Sequence, residues 1–404
     1  AEEGFAIDRV YAKKLAGQAT NLALFPASKA IFLKSNGSPY LEGEKIVQKD
    51  LAESYRKIAK DGSDWFYRGA FAKAAEKYMK SNDGILTAKD FKEYKTKDRT
   101  PLVTSYRGWT IVGFPPPSSG GVHVAQMLNI LEAMGSEMPK PGTAEFLHRM
   151  TEVMKLAFAD RAHWLGDPAF VNVPRGLTNS VYAKELAAKI NPKKATPVEH
   201  GTPPDWQNNS FEKHTTHFCV ADTEGNWVSC TATVNTAFGS KVVIPGTGIL
   251  MNNEMDDFAV APGVPNYFKL VGSEANAIAP GKRPLSSMSP TLVMKDDQVV
   301  MAIGGAGGPT IISQVLLGVS YALDAKMKPN QVVSQPRFHH QWSPDQIRME
   351  KAVPPEVKEK LKMMGHQLAE EDNFGFSQIL IRNPDGSFDG ATDPRCVGLA
   401  AGTR

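Results

Sequence analysis

The 404-residue sequence predicts a mixed α/β fold of the α+β kind, helix-rich in its first half and strand-rich in its second. Two observations predict this. Apolar residues recur at three-to-four spacing before residue 191, and short runs rich in β-branched residues replace them after residue 215. A third observation separates the two regimes: residues 191–214 carry four prolines and few large apolar side chains, the pattern of an exposed, flexible linker.

In chain order, the helical spacing predicts helices over 49–60, 65–79, 122–134, 144–164 and 181–190. Thr87 with Asp90 forms a capping box for a short helix, and Thr178 is a further expected cap. The run Phe114-Pro-Pro-Pro-Ser-Ser-Gly-Gly121 reads as a structural loop whose serine caps the helix beginning at Val122. Beyond the linker, strands are expected over 218–221, 227–234, 241–244, 290–294 and 299–303. Helices at 310–324 and 356–364 and a strand at 377–381 complete the prediction.

Composition excludes several classes. A net charge of +3 from 46 basic and 43 acidic residues, with no polybasic run, gives no basis for binding nucleic acid or a membrane surface. The longest apolar stretch, 311–323, contains Ser313, Gln314, Gly318 and Ser320 and is too short and polar to span a bilayer. Cys219, Cys230 and Cys396 fit neither a disulfide framework nor a zinc pattern, and buried free thiols are expected. The opening Ala-Glu-Glu-Gly-Phe has neither the basic start nor the apolar run of a signal peptide.

The junction at residue 214 is the most informative place. A β-hairpin begins after His214, its arms joined at Asp222-Thr-Glu-Gly-Asn226. A three-residue loop, 223–225, sets Thr215 opposite Thr233 with both side chains on one face, whereas a two-residue loop sets Thr216 against Thr233. An internal threonine is a poor nucleophile. Cleavage of the His214–Thr215 bond would give Thr215 an α-amine, of ordinary pKa about 7.7–8.0, able to take the proton from its own hydroxyl.

Thr215-Thr216-His217, Val234-Asn235-Thr236, Phe238-Gly239 and Met251-Asn-Asn-Glu-Met-Asp-Asp-Phe258 resemble the γ-glutamyltransferase family. So do Lys282-Arg-Pro-Leu-Ser-Ser-Met-Ser-Pro290, Pro336-Arg-Phe-His-His-Gln-Trp342 and Asp393-Pro-Arg395. Earlier in the chain Arg107-Gly108, Pro115-Pro-Pro-Ser-Ser-Gly-Gly121, Ala159-Asp-Arg161 and Leu165-Gly-Asp-Pro168 match too, so the ordered set covers nearly the whole sequence. The resemblance implies a four-layer αββα sandwich of the N-terminal nucleophile hydrolase type, made as one precursor that cuts itself in two. Residues 1–214 would then be the C-terminal part of the large subunit, and 215–404 the small subunit, together one domain.

By the same resemblance Thr215 is the nucleophile and Thr233 the helper hydroxyl. Asn235, Glu254 and Asp257 hold the donor's α-amino group, Ser286 and Ser287 its α-carboxylate, and 262–270 forms a lid carrying Tyr267 and Phe268. Gly304-Gly-Ala-Gly-Gly308 follows a strand and precedes a helix like a phosphate loop, but lacks that motif's spacing and its Lys-Ser/Thr. The family instead makes Gly307 and Gly308 the oxyanion hole. His339 and His340 are adjacent without a carboxylate motif, and neither a metal nor a cofactor is expected.

The implied activity is hydrolysis or transfer of the γ-glutamyl group of glutathione and related amides, with water, an amino acid or a dipeptide as acceptor, in the periplasm or outside the cell. By the resemblance, the family's precursors carry a further segment, with a carboxylate-binding arginine, ahead of the point that matches Ala1, and no residue of 1–404 takes that arginine's role. Two other readings are a cephalosporin or glutaryl acylase, against which Glu254 and Asp257 argue, and an uncleaved, inactive precursor or scaffold.

Overall fold

The computed structural model describes residues 1–204 and 217–402, so His214, Thr215 and Thr216 lie outside the described residues. The chain divides into two compact units, residues 1–97 with 234–254 and residues 98–233 with 255–404.

In the first unit β1 (Phe5–Ala6) pairs with β2 (Lys45–Ile46), and six helices follow the chain: α1 (Arg9–Ala23), α2 (Pro26–Phe32), α3 (Lys49–Asp61), α4 (Asp64–Tyr67), α5 (Ala70–Lys80) and α6 (Ala88–Glu93). The single helix expected over 65–79 breaks after Tyr67, and Phe66 stacks on Phe71 across the break at 4.2 Å. The Thr87–Asp90 capping box forms as expected. Residues 241–244 do not form a strand: the Val243 N–H is taken by the Ser28 hydroxyl at 3.0 Å, leaving only an isolated bridge to Leu250. Val243 and Ile244 instead point into separate apolar clusters, one with Leu15, Leu22 and Phe32, the other with Phe71 and Phe91. Two successive extended residues face opposite ways, so this short segment serves both clusters.

The second unit is built on a six-stranded antiparallel sheet. Its strands are β3 (Leu102–Tyr106), β4 (Trp109–Gly113), β7 (Thr291–Lys295), β8 (Gln298–Ala306), β12 (Phe376–Arg382) and β13 (Phe388–Thr392), in the order β13-β12-β8-β7-β4-β3. The helices are α7 (Gly120–Ala133), α8 (Ala144–Trp164), α9 (Ser180–Ala187), α10 (Thr310–Leu323), α11 (Pro329–Ser334) and α12 (Pro355–Met363). A three-stranded sheet joins β9 (Phe338–His339), β10 (Ile347–Glu350) and β11 (Leu368–Glu371). β5 (His217–Ala221) and β6 (Trp227–Thr231) form the hairpin.

Along β8 side chains alternate, and its two faces carry different layers. Ile303 packs beneath Gly318 of α10, whereas a Cβ on Gly304 would lie 2.3 Å from the His217 ring of the hairpin. Helices, sheet and hairpin therefore stack in that order, an α+β sandwich. α10 is buried on nearly every side, which accounts for its almost unbroken apolar sequence.

The hairpin loop has three residues. The Asp222 N–H donates to the Asn226 carbonyl at 3.1 Å and His217 pairs with Thr231, so the two-residue alternative is not the hairpin that forms. The cap of α9 is Asn179 rather than Thr178; its side chain accepts from the Val181 N–H at 2.7 Å. Residues 191–204, expected to be a free linker, are tied down. The Lys155 ammonium donates to the Thr196 carbonyl at 2.5 Å, Asp160 accepts from the Gly201 N–H at 2.7 Å, and the Trp342 indole donates to the Val198 carbonyl at 2.9 Å. Composition suggested a free loop because these partners come from distant helices and loops. The three cysteines are free, as expected, but half-buried rather than buried.

Pro336-Arg337-Phe338 and Asp393-Pro394-Arg395, far apart in sequence, meet in one buried network. Asp393 accepts from Arg337, from the Ser377 N–H at 3.0 Å and from Arg395 at 3.1 Å, while Arg395 also pairs with Glu350. A buried carboxylate with this many donors ties the start of β9 to the end of β13.

Candidate active site

In the second unit the serines of two loops come together. The Ser286 N–H donates to the Pro117 carbonyl at 3.0 Å, and the Ser119 N–H and hydroxyl both donate to the Ser286 carbonyl, at 2.9 and 2.8 Å. The Ser118 hydroxyl donates to the Met288 carbonyl at 2.7 Å, and the Ser286 hydroxyl donates to Ser118 at 2.8 Å. The Pro-Pro-Pro-Ser-Ser loop was expected to cap the following helix by a serine, but Ser119 precedes α7 without a side-chain capping bond because its hydroxyl is spent on Ser286. The loop is a clamp on Ser286 and the Met288 carbonyl.

Arg161, near the end of α8, spans the clamp. Its Nε donates to Ser119 at 2.9 Å and its Nη2 to Ser287 at 3.1 Å. Burial pulls the guanidinium down to about 10, opposed by the nearby Asp257 carboxylate. That value still leaves a full positive charge at neutral pH. Arg161 and Asp257 line one small cavity with Asn276 and Leu285. Asn276 ties the two segments together, donating to the Asp257 carbonyl at 2.7 Å and accepting from the Leu285 N–H at 3.0 Å. Neither Arg161 nor Asn276 was assigned a role from sequence. The available signal was an arginine within a helix face that is otherwise apolar, beside the matched Ala159-Asp-Arg161.

Gly307 and Gly308 lie between β8 and α10, at φ +139° and +61°, conformations that L side chains rarely adopt. Among the described residues neither N–H meets a hydrogen-bond acceptor. A Cβ on Gly308 would lie 2.7 Å from the Phe268 ring, so the segment 262–270 rests directly on this turn. Phe268 is held there by its carbonyl, which accepts from the Gln341 amide at 3.1 Å. A cleft of about 540 Å³ runs beside the turn, lined by Tyr267, Phe268, Gly307, Gln341 and Arg348.

The remaining expected residues fall in different places. Thr233 closes the hairpin segment of the second unit, and Asp257 ends a short 3₁₀ turn, its carbonyl tied to Asn276. Asn235 and Glu254 belong to the first unit. There Asn235 adopts φ +72° and donates to the Asn253 carbonyl at 3.1 Å, while the Glu254 N–H is held by Asn252 at 2.9 Å. Thr215 and His214 lie outside the described residues.

His217 is the histidine nearest the expected nucleophile on the described strand. Its Nδ1 lies 3.0 Å from the Thr231 hydroxyl and its Nε2 3.1 Å from the Cys219 sulfur. Burial pushes it down to about 4 and the Cys219 thiol up to about 12. At neutral pH both are uncharged, and His217 is a weak base. His148, Glu152 and His366 bring potential ligand atoms within 4.8 Å of one another, but the Lys155 ammonium lies 3.2 Å from Glu152 and already supplies that cluster's cation.

The family model described as gamma-glutamyltranspeptidase matches residues 1–403. A glutathione hydrolase proenzyme of Escherichia coli (strain K12) is 42% identical, the alignment covering 98% of this chain and 68% of that protein. Acylase ACY 1 proenzyme of Pseudomonas sp. (strain SE83) is 36% identical, with 98% of this chain and 68% of that protein covered. Among solved structures, cephalosporin acylase from Bacillus halodurans superposes with a TM-score of 0.86 at 27% identity, over 97% of this chain and 70% of that one.

Proposed function

Because the chain belongs to the gamma-glutamyltranspeptidase family, we propose that it is a self-processing enzyme that cleaves the γ-glutamyl amide of glutathione and related donors. Its fold is the αββα sandwich of the N-terminal nucleophile hydrolases. The observation that carries the substrate reading is the family match over residues 1–403; in support, the second unit sets Arg161 against the Ser287 hydroxyl at 3.1 Å, with Asp257 lining a small cavity beside that arginine. A cation-backed hydroxyl and a carboxylate suit the α-carboxylate and α-ammonium of a glutamyl head.

In this reading the peptide bond before Thr215 is cut, giving a large subunit ending at His214 and a small subunit beginning at Thr215. The Thr215 hydroxyl attacks the γ-carbonyl carbon while the threonine's own α-amine accepts the proton. The weak basicity of His217 supports giving this proton to the amine. Thr233 orients the nucleophile's oxygen. The N–H groups of Gly307 and Gly308 donate to the oxyanion, each such donor being worth roughly 10²–10³ in rate. The C–N bond then breaks, the leaving amine takes the proton, and a γ-glutamyl ester remains on Thr215. Water or an acceptor amine resolves that ester, giving hydrolysis or transfer.

In the second unit Asp257 holds the donor ammonium, and Ser286 and Ser287 form the carboxylate end of the pocket. Each step is acid–base and acyl chemistry, and no cofactor enters it. The periplasm or the cell exterior is the proposed location; no described helix is long and apolar enough to cross a membrane.

Acylase relatives make a second reading specific: a donor whose acyl group has no α-amine. Hydrolysis of γ-glutamyl-p-nitroanilide and glutaryl-p-nitroanilide separates the two. A kcat/KM at least tenfold higher for the γ-glutamyl donor is expected, the scale of one charge-assisted contact. A preference for the glutaryl donor would make the protein an acylase.

A further inference from the structure

Resting on the oxyanion reading of Gly307 and Gly308, we propose that Gln314 is the positioning residue that aims both of their N–H groups at the donor's reacting carbonyl. It does so by holding the two carbonyls on the other side of the turn, that of Ala306 directly and that of Gly307 through Thr310.

A backbone N–H is not aimed by itself. It lies in its peptide plane, trans to the carbonyl of the preceding residue, so fixing that carbonyl fixes the N–H. The Ala306 carbonyl therefore sets the direction of the Gly307 N–H, and the Gly307 carbonyl sets that of Gly308. Gln314, one turn into α10, reaches back to both. Its Nε2 donates to the Ala306 carbonyl at 3.2 Å and to the Thr310 hydroxyl at 3.0 Å. The Thr310 hydroxyl donates in turn to the Gly307 carbonyl at 2.8 Å.

Proton counting fixes every direction in this chain. A carbonyl only accepts, so the single Thr310 proton goes to Gly307, and Gln314 supplies one proton to Ala306 and one to Thr310. That uses both hydrogens of the amide nitrogen. The amide oxygen accepts from the Ser377 hydroxyl of β12 at 2.9 Å, and Ser377 accepts from Arg337 Nη2 at 3.2 Å. Donation thus runs one way, from a buried guanidinium to the turn, and each bond polarises the next.

The backbone around the amide is kept bare. A Cβ on Gly307 would lie 2.6 Å from Thr310 Oγ1, and one on Gly375 would lie 2.3 Å from Gln314 Nε2. Gln314 is only 5% exposed, on a helix that is otherwise almost wholly apolar. An amide buried there costs free energy unless it is bonded, and both of its donors are spent on the turn.

Gln314→Met keeps the length of the side chain and removes its hydrogen bonds. Rates with γ-glutamyl-p-nitroanilide are normalised to the amount of chain beginning at Thr215. On that basis kcat is expected to fall about ten- to a hundredfold with KM changed by less than about threefold, since a misaimed oxyanion donor loses part of what a missing one loses. Thr310→Val should lower kcat about tenfold, and Thr310→Ser, which keeps the hydroxyl, should regain most of that loss. The losses should not multiply. Added to Gly308→Ala, Gln314→Met should cost less than about threefold more, because the turn it aims is already displaced.

A merely structural glutamine would lower the melting temperature at unchanged kcat, or multiply in full with Gly308→Ala, and either result would overturn the proposal. So would Thr310→Ser as slow as Thr310→Val. If Gln314→Met does not fold or does not process, the two Thr310 variants and the pairing of Thr310→Val with Gly308→Ala decide the matter. Wild-type protein that does not turn over the donor overturns the enzymatic reading together with this one. Wild-type turnover, a slow Gly308→Ala and a Gln314→Met kcat within about twofold of wild type overturn this one alone.

Discussion

Thr215→Ala is expected to leave the chain in one piece and to abolish γ-glutamyl turnover, by about 10⁴-fold or more. One substitution removes two functions. Without its hydroxyl, residue 215 cannot attack the preceding carbonyl, and the bond to His214 stays closed. Without that cleavage there is no free α-amine, and an internal residue has no base of the right pKa beside it. His217 does not replace the amine, since burial holds it down to about 4 and both ring nitrogens are already engaged. A denaturing gel and a γ-glutamyl-p-nitroanilide assay check both effects. A Thr215→Ala chain that still splits, or still turns over donor above a hundredth of the wild-type rate, would remove Thr215 from the mechanism.

Gly308→Ala is expected to lower kcat by about 10²–10³, with a smaller change in KM. Two costs fall on the same atom. At φ +61° an alanine is strained by roughly 1–2 kcal/mol, and its Cβ would meet the Phe268 ring at 2.7 Å. Relief requires either rotating the Gly307–Gly308 peptide or lifting Phe268 from the turn. The first withdraws an amide from the oxyanion; the second opens the segment that covers it. The loss therefore concentrates in the transition state rather than in ground-state binding. Steady-state kinetics with a melting curve would check this. A kcat within twofold of wild type, at unchanged stability, would mean that this turn does not form the oxyanion hole.

How much of this was legible in the sequence depended on whether the signal was local. The helix expected over 144–164 is α8, residue for residue, because a threonine cap precedes it and apolar spacing continues to Trp164. The hairpin loop was legible from Asp222 and Gly225, although only the observed pairing of His217 with Thr231 settled its length. α1 left a fainter signal. Of its 15 residues only Leu15 and Leu22 are buried, and Gly17 sits mid-helix, so its apolar stripe is too thin to stand out.

Site residues followed the same division. Ser286, Ser287, Gly307 and Gly308 were expected through ordered motifs; the two glycines sit at positive φ and Ser286 in the clamp. Arg161 and Ser119 were within matched motifs too, yet their roles depend on contacts across 42 residues and more, which no spacing rule encodes. The tethering of 191–204 was missed for the same reason: its partners Lys155, Asp160 and Trp342 lie in other elements.

The central claim is that Thr215 becomes an N-terminal residue, and intact mass with N-terminal sequencing of the purified full-length protein tests it most directly. Two polypeptides are predicted, one ending at His214 and the other beginning Thr215-Thr216-His217 with a free amine. A single unbroken chain that nevertheless turns over γ-glutamyl-p-nitroanilide would contradict it.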